Sequence, residues 1–163
     1  QFGVKSFINR CEEVGVDGLI VVDLPIEHSD EICIPAQKSG IDFINFITPT
    51  TNKERLKQIL NVSSGFLYFV SIAGITGTKA PDNKIIEKLI KNVKQNTDLP
   101  IGVGFGIKSS SQVKEISNFS DAIVVGSAIV NEIDSLKTKN FDNDLIVKNM
   151  IDFLLELSNP LKG

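Results

Sequence analysis

Apolar residues along this chain follow two periods. Five short runs, starting near residues 19, 43, 66, 100 and 122, are almost wholly apolar, and each stops at a Gly, Pro or Ser/Thr cluster. Between them the apolar positions fall three and four apart, which is the helical spacing. Val4, Phe7, Ile8, Cys11 and Val14 make one such stripe, ended by Gly15, the residue that commonly closes a helix. A second helix is expected from about Ser29 to Ser39, closing at Gly40. Thr51 with Glu54 three residues later reads as a capping box ahead of Leu56, Ile59 and Leu60. Ile85, Ile86, Leu89, Ile90 and Val93 share one face of a strong helix, and Val147, Met150, Ile151 and Leu154 mark a final one.

Runs that are apolar throughout, rather than alternating, are expected as strands buried on both faces, as in a parallel sheet covered by helices. Their starts recur at about the length of a βα unit. No linker or low-complexity stretch interrupts the series, so residues 1–163 are expected to form a single domain. A doubly wound sheet and a (β/α) barrel both fit this alternation. Five units are too few to close an eight-stranded barrel of roughly 250 residues. On the barrel reading about three units are absent from the N-terminal side, and a chain that opens at Gln1 and enters a helix at once reads as a piece of something longer. Such a piece would present two apolar sheet edges.

Composition narrows the function classes. Hydrophobic residues at 42% and charged ones at 23% are ordinary for a globular protein. Lys+Arg 17 against Asp+Glu 20 gives a net charge of −3 with the basic residues scattered, which argues against a nucleic-acid partner. Cys11 and Cys33 read as small buried hydrophobes of a reducing compartment. No run approaches the length of a membrane span and no signal peptide is visible, so a cytoplasmic location is expected. His28, the sole histidine, stands among Glu27, Ser29, Asp30 and Glu31, and reads as a solvated helix start. No spacing suggests a metal site, and no Gly-x-Ser-x-Gly nucleophile motif is present.

The last two strands carry the candidate chemistry. Pro100-Ile101-Gly102-Val103-Gly104-Phe105-Gly106-Ile107 and Ala122-Ile123-Val124-Val125-Gly126-Ser127-Ala128 both open into glycine-rich ends. Backbone N–H groups offered there, with a helix starting after Gly126-Ser127, suit an anion such as phosphate, although glycines that serve only tight turns would look the same. Asp23 is the only carboxylate at the end of an expected strand, which on barrel logic makes it the first general-base candidate.

Four motifs, in order and in spacing, resemble the tryptophan synthase alpha chain family over about Gly3 to Phe153. They are Gly15-Val16-Asp17-Gly18-Leu19-Ile20-Val21-Val22-Asp23-Leu24-Pro25, like the family's fourth strand, and Ser64-Gly65-Phe66-Leu67-Tyr68-Phe69-Val70-Ser71 with Gly74-Ile75-Thr76-Gly77, like its sixth strand and mobile loop. Val103-Gly104-Phe105-Gly106-Ile107 and Val125-Gly126-Ser127-Ala128-Ile129-Val130 are similar to its seventh and eighth strand ends. The resemblance implies an α/β fold, a partial (β/α)8 TIM barrel of about five of eight βα units with parallel strands. It implies cleavage of indole-3-glycerol phosphate to indole and glyceraldehyde 3-phosphate, in tryptophan biosynthesis. The family's acid/base pair, a Glu and an Asp, would lie upstream of Gln1, so this stretch is expected to be inactive alone.

By the same resemblance Gly77, Gly104, Phe105, Gly106, Gly126 and Ser127 surround the substrate phosphate. Tyr68 stands against the substrate, although a buried tyrosine that merely finds a backbone partner is the usual case. Thr76 hydrogen-bonds the catalytic Asp when a lid closes, although the loop also reads as a plain surface loop. Ile20, Val22, Ile47, Val70 and Val124 would line an indole pocket, and barrel core explains each equally well. Asp23 and Pro25 become accessory residues at the contact with a partner, and turn capping serves Asp23 as well. Many members carry Arg where Ile72 stands, so the resemblance carries no charge contact from that point. The implied partner is the tryptophan synthase beta chain in an alpha2beta2 assembly. The implied cofactor is none, with pyridoxal phosphate held by the beta chain. Two other readings stay open: another phosphate-sugar barrel isomerase or epimerase, which would lack the Tyr68-to-Gly77 stretch, and a non-catalytic half-barrel binding module.

Overall fold

The computed structural model describes residues 2–70, 83–104, 106–139 and 141–161. Five parallel strands form one sheet: β1 Gly18–Ile20, β2 Asp42–Ile47, β3 Leu67–Val70, β4 Ile101–Gly104 and β5 Ala122–Val124. The helices among the described residues are α1 Val4–Glu13, α2 Asp30–Lys38, α3 Lys53–Val62, α4 Asn83–Lys94, α5 Ser110–Ser117, α6 Ser127–Thr138 and α7 Asn143–Ser158. A 3-10 turn, Ile26–His28, leads into α2. Among the described residues no helix is long and apolar enough to cross a membrane.

Strand order decides between the two architectures that the sequence leaves open. The strands lie in chain order, β1-β2-β3-β4-β5, each parallel to the next. Every strand is therefore added on the same side of its predecessor, and right-handed crossovers then put every connecting helix on one face. A doubly wound sheet reverses its order at a switch point. This one does not, and it is part of a (β/α)8 barrel.

The core confirms the one-sided layering. Ile47, Leu67, Phe69, Ile101 and Val103 share the odd-numbered face. They pack with Leu56 and Ile59 of α3, Ile86 and Ile90 of α4, Val113 and Ile116 of α5, and Leu157 of α7. A smaller cluster joins Ile8 and Cys11 of α1 to Ala36 of α2 and to Ile41. The even-numbered face is covered in part only: Ile44, Gly102 and Gly104 are buried, whereas Ile20 and Ala122 are exposed. Burial on both faces, expected from apolar runs, thus holds for one face. The other is apolar because in a barrel wall it turns to the interior.

The helix stripes are buried according to where each helix stands. Ile86, Ile90 and Val93 of α4, in the middle of the layer, are buried. Beside the edge strands, Val4, Phe7 and Val14 at one end and Val147, Ile151 and Leu154 at the other are exposed, while Ile8, Cys11 and Met150 of the same stripes are buried. The cap of α3 lies one residue later than expected. Asn52 Oδ1 accepts the Arg55 N–H at 2.8 Å, because the Thr51 hydroxyl is already taken up by the Thr48 N–H at 3.0 Å in the turn around Pro49. The capping box stands instead on α5, where Ser109 and Gln112 cap each other's backbone.

At the N-terminal end of the sheet Asp121 joins two strands. Its carboxylate accepts the Ile101 N–H and the Lys94 ammonium, each at 2.8 Å. Its own N–H donates to the Ile101 carbonyl at 3.0 Å. Burial pushes the Asp121 carboxyl up, but the hydrogen bonds from Lys94 and Ile101 outweigh it and the net displacement is downward. The folded state therefore binds a proton less readily than the unfolded chain, whose aspartates titrate near 4. Asp121 stabilises the fold fully above that range, and the contribution is lost as pH falls through its lowered value. Urea melts at pH 7 and pH 3 are expected to show a loss on acidification that shrinks in Asp121→Asn. The pair is more than a third exposed, so the charge component is worth about 1 kcal/mol at most. An identical pH dependence in the variant would contradict this role.

Candidate functional site

In a barrel the C-terminal ends of the strands gather the reactive groups, and there β3 and β4 form a bed for one aromatic ring. Tyr68 pairs with Gly102 across the β3–β4 ladder, and its side chain leans along the strand until the hydroxyl lies over Gly104. A β-carbon at 104 would fall on that hydroxyl and 2.7 Å from the ring carbon Cζ. The Phe66 ring lies over Gly102 in the same way, 3.4 Å from where a β-carbon would stand. From β2, Phe46 meets the Tyr68 ring edge-on, with centroids 5.4 Å apart and planes at 71°, a favoured aromatic geometry. Phe46, Tyr68 and Gly104 thus make a row across three strands, with the phenol half-buried.

Beside it, β4 and β5 run in register from Gly102↔Ala122 to Gly104↔Val124, and Gly126 follows two residues beyond. Gly126 is the N-cap of α6 and no side chain caps it. Gly126 and Ser127 are exposed, with open space where a β-carbon at 126 would stand. The first N–H groups of a helix have no intrahelical acceptor and carry the positive end of its dipole, so this end can receive an anion. Gly106 lies exposed past the end of β4. The structure thus brings Tyr68, Gly104, Gly106, Gly126 and Ser127 to one end of the sheet. Thr76, Gly77 and Phe105 lie outside the described residues, as do Ile72 and the loop read as a lid.

Asp23 and Pro25 stand apart from that group, exposed in the turn after β1, at the opposite edge of the sheet. Glu27, just past Pro25, reaches Arg55 of α3 at 2.6 Å. Its carboxyl is held below the usual range first by its own backbone N–H and further by Arg55. His28 is exposed at the helix start, 3.7 Å from Glu31. Among the described residues no three His, Cys, Asp or Glu side chains gather as a metal site, and Cys11 and Cys33 are free and buried.

One expected pocket residue is on the wrong face. Ile47 is 1% exposed and belongs to the helix-facing core, since its odd position turns it away from Tyr68. Phe46 takes the inner position. The pairing of Phe46 with Tyr68 in the ladder decides it, and two adjacent apolar residues carry no signal of it in the sequence. Ile20, Val70 and Val124 have the parity of the inner face, whereas Val22 lies in the turn beyond β1.

A family model described as tryptophan synthase alpha chain matches residues 1–153. Among solved structures, tryptophan synthase subunit alpha from Legionella pneumophila str. Paris superposes with a TM-score of 0.86 at 30% identity, over 99% of this chain and 58% of that one. Tryptophan synthase subunit alpha from Campylobacter jejuni matches at 33% identity with a TM-score of 0.76, over 91% of this chain and 58% of that one. The tryptophan synthase complex from Pyrococcus furiosus matches at 28% identity and a TM-score of 0.78, over 97% and 60% respectively. The chain spans a little under three fifths of the length of the Legionella and Campylobacter proteins. With its ordered strands, its Tyr68 bed and a family match reaching from residue 1 to 153, the chain belongs to the tryptophan synthase alpha chain family.

Proposed function

We propose that this chain supplies the substrate-binding part of a barrel that cleaves indole-3-glycerol phosphate to indole and glyceraldehyde 3-phosphate. The observation that carries the reading is a seated phenol on β3 and an uncapped helix end after β5, at the same end of the sheet with only β4 between them. The α6 N-terminus, with Gly126 and Ser127, takes the phosphate. The Tyr68 hydroxyl, fixed between Phe46 and Gly104, stands against the indole end. Anchoring the non-reacting phosphate lets its binding energy orient the carbons that react.

The reaction is a retro-aldol cleavage. A general acid protonates indole C3 while a base takes the proton of the C3′ hydroxyl, and the bond between ring and glycerol breaks. Both carboxylates are supplied by a Glu and an Asp upstream of Gln1, so residues 1–163 alone bind phosphate weakly at best and do not turn over substrate. Thr76 hydrogen-bonds that Asp on lid closure, and Gly77 and Phe105 complete the phosphate site. Asp23 and Pro25 lie where a beta chain docks, in an alpha2beta2 assembly in the cytoplasm. The alpha chain uses no cofactor of its own, and pyridoxal phosphate belongs to the beta chain.

Ser127→Asp tests the anion site without breaking the helix. A carboxylate at a helix N-terminus favours the helix by about 0.3–1 kcal/mol, so the melting temperature is expected to hold or rise slightly. The same charge repels a phosphate, so in the chain extended upstream the KM for indole-3-glycerol phosphate is expected to rise about tenfold or more, roughly 1.4 kcal/mol. An unchanged KM would remove α6 from the site.

A further inference from the structure

A second cleft opens where β1 leaves the sheet. The β1–β2 ladder stops at Ile20↔Ile44, yet β2 runs on to Ile47 against β3. From Asn45 onward β2 has lost its neighbour on that side. The chain after β1 instead swings out through Val21 to Ile26 and is tied to α3 by the Glu27–Arg55 pair. Between the separated strands lies a cavity of about 320 Å³. That is far more than the voids of a packed interior and within the size range of small-molecule sites.

Its lining has two characters. Val21, Leu24, Phe46 and Ile59 make apolar walls, and Thr48, Thr51 and Arg55 converge at the α3 end. Thr48 Oγ1 lies 3.0 Å from Thr50 Oγ1 and 3.2 Å from Thr51 Oγ1. Those two contacts use two of three hydroxyl protons and leave one to donate outward. Among the described residues Glu27 is the one side-chain acceptor on the Arg55 guanidinium, a planar group with five N–H donors suited to a carboxylate. Phe46 lines this cleft and also meets the Tyr68 ring.

We infer that this cleft binds a small molecule with a ring-sized apolar body and one carboxylate, the body between Val21 and Phe46 and the carboxylate on Arg55 and the threonine hydroxyls. Glu27 competes with the ligand for Arg55, so the two residues have opposite effects on affinity. The inference does not rest on the proposed reaction: it shares Phe46 with the Tyr68 bed but uses none of the residues given to the phosphate.

Indole-3-acetate is the probe, with indole as body alone and inorganic phosphate as anion alone, titrated into the isotope-labelled chain extended upstream and followed by amide NMR shifts. Saturable shifts from indole-3-acetate are expected in 21–26 and 45–51. Arg55→Gln is expected to weaken it about tenfold with indole unaffected, and Glu27→Gln to tighten it severalfold. Absent saturation, equal affinity in both variants, or phosphate moving the same residues as strongly would each overturn the inference. Shifts confined to 104–106 and 126–128 would do so too, by placing the probe in the phosphate site.

Discussion

In the chain extended upstream, Gly104→Ala is expected to cut the proposed indole formation by about a hundredfold while leaving the protein folded. The new β-carbon would occupy the place of the Tyr68 hydroxyl and stand 2.7 Å from Cζ. The ring cannot slide sideways toward β2, because the Phe46 ring packs against it there. It must swing up and out of its bed, toward the mouth of the site. An ångström of misplacement at a reacting centre costs on the order of a hundredfold in rate. Stability falls by only about 1–3 kcal/mol, the usual cost of an extra methyl group in a filled space. The decisive comparison is in a Tyr68→Leu background, where the shorter side chain does not reach residue 104. There the alanine should cost little beyond the Tyr68 change itself, since the two substitutions damage one contact. Equal losses in both backgrounds would mean that Gly104 serves the site by some other route.

Gly65→Ala is expected to lower stability by about 2–4 kcal/mol, for two separable reasons. Gly65 has φ +71°, and a β-carbon there would come 2.7 Å from Asp42 Oδ2 and 2.9 Å from Asp42 Cβ. Asp42 opens β2 and its N–H is bonded to the Asp17 carbonyl at 2.9 Å, so its β-carbon is fixed by the ladder and has nowhere to move. Gly40 provides the comparison: it also has φ +71°, but a β-carbon there would meet open space. Gly40→Ala should therefore carry the left-handed strain alone, about 1 kcal/mol. For a chain of this size the two should differ in melting temperature by roughly 3–12 °C. Equal melting temperatures would show that the Asp42 contact is absent in solution.

Much of the fold was legible because it rests on local chemistry. The five strand starts, the parallel sheet and the stop at Gly15 follow from apolar runs and turn residues, and the motifs around Tyr68, Gly104 and Gly126 carry the family. The failures share a different cause. Phe46 and Ile47 are adjacent and both apolar, and only the ladder to Tyr68 says which one turns inward. Val147 and Ile90 sit on similar stripes, yet one is exposed and the other buried, because burial depends on what stands beyond the helix. Thr51 and Asn52 are both good caps, and the Pro49 turn decides between them. Gly104 was legible as a place where backbone can approach a ligand. Its service as the seat of the Tyr68 ring was not, since that contact joins residues 36 positions apart in the sequence. The β1–β2 cleft left no sequence signal, because it arises from where a ladder ends.

The proposed division of labour, with binding groups in residues 1–163 and the acid and base outside them, is tested most directly by indole release from indole-3-glycerol phosphate. The 163 residues as they stand should be compared with the same chain extended upstream by its native coding sequence, each with and without a beta chain. Indole from the extended form only is the expected result, placing the acid and base before Gln1 and the binding groups within the chain. Indole from the 163 residues alone would contradict it and assign the chemistry to Asp23 or another carboxylate here. No indole from a folded extended form supplied with its beta chain would contradict the reaction itself.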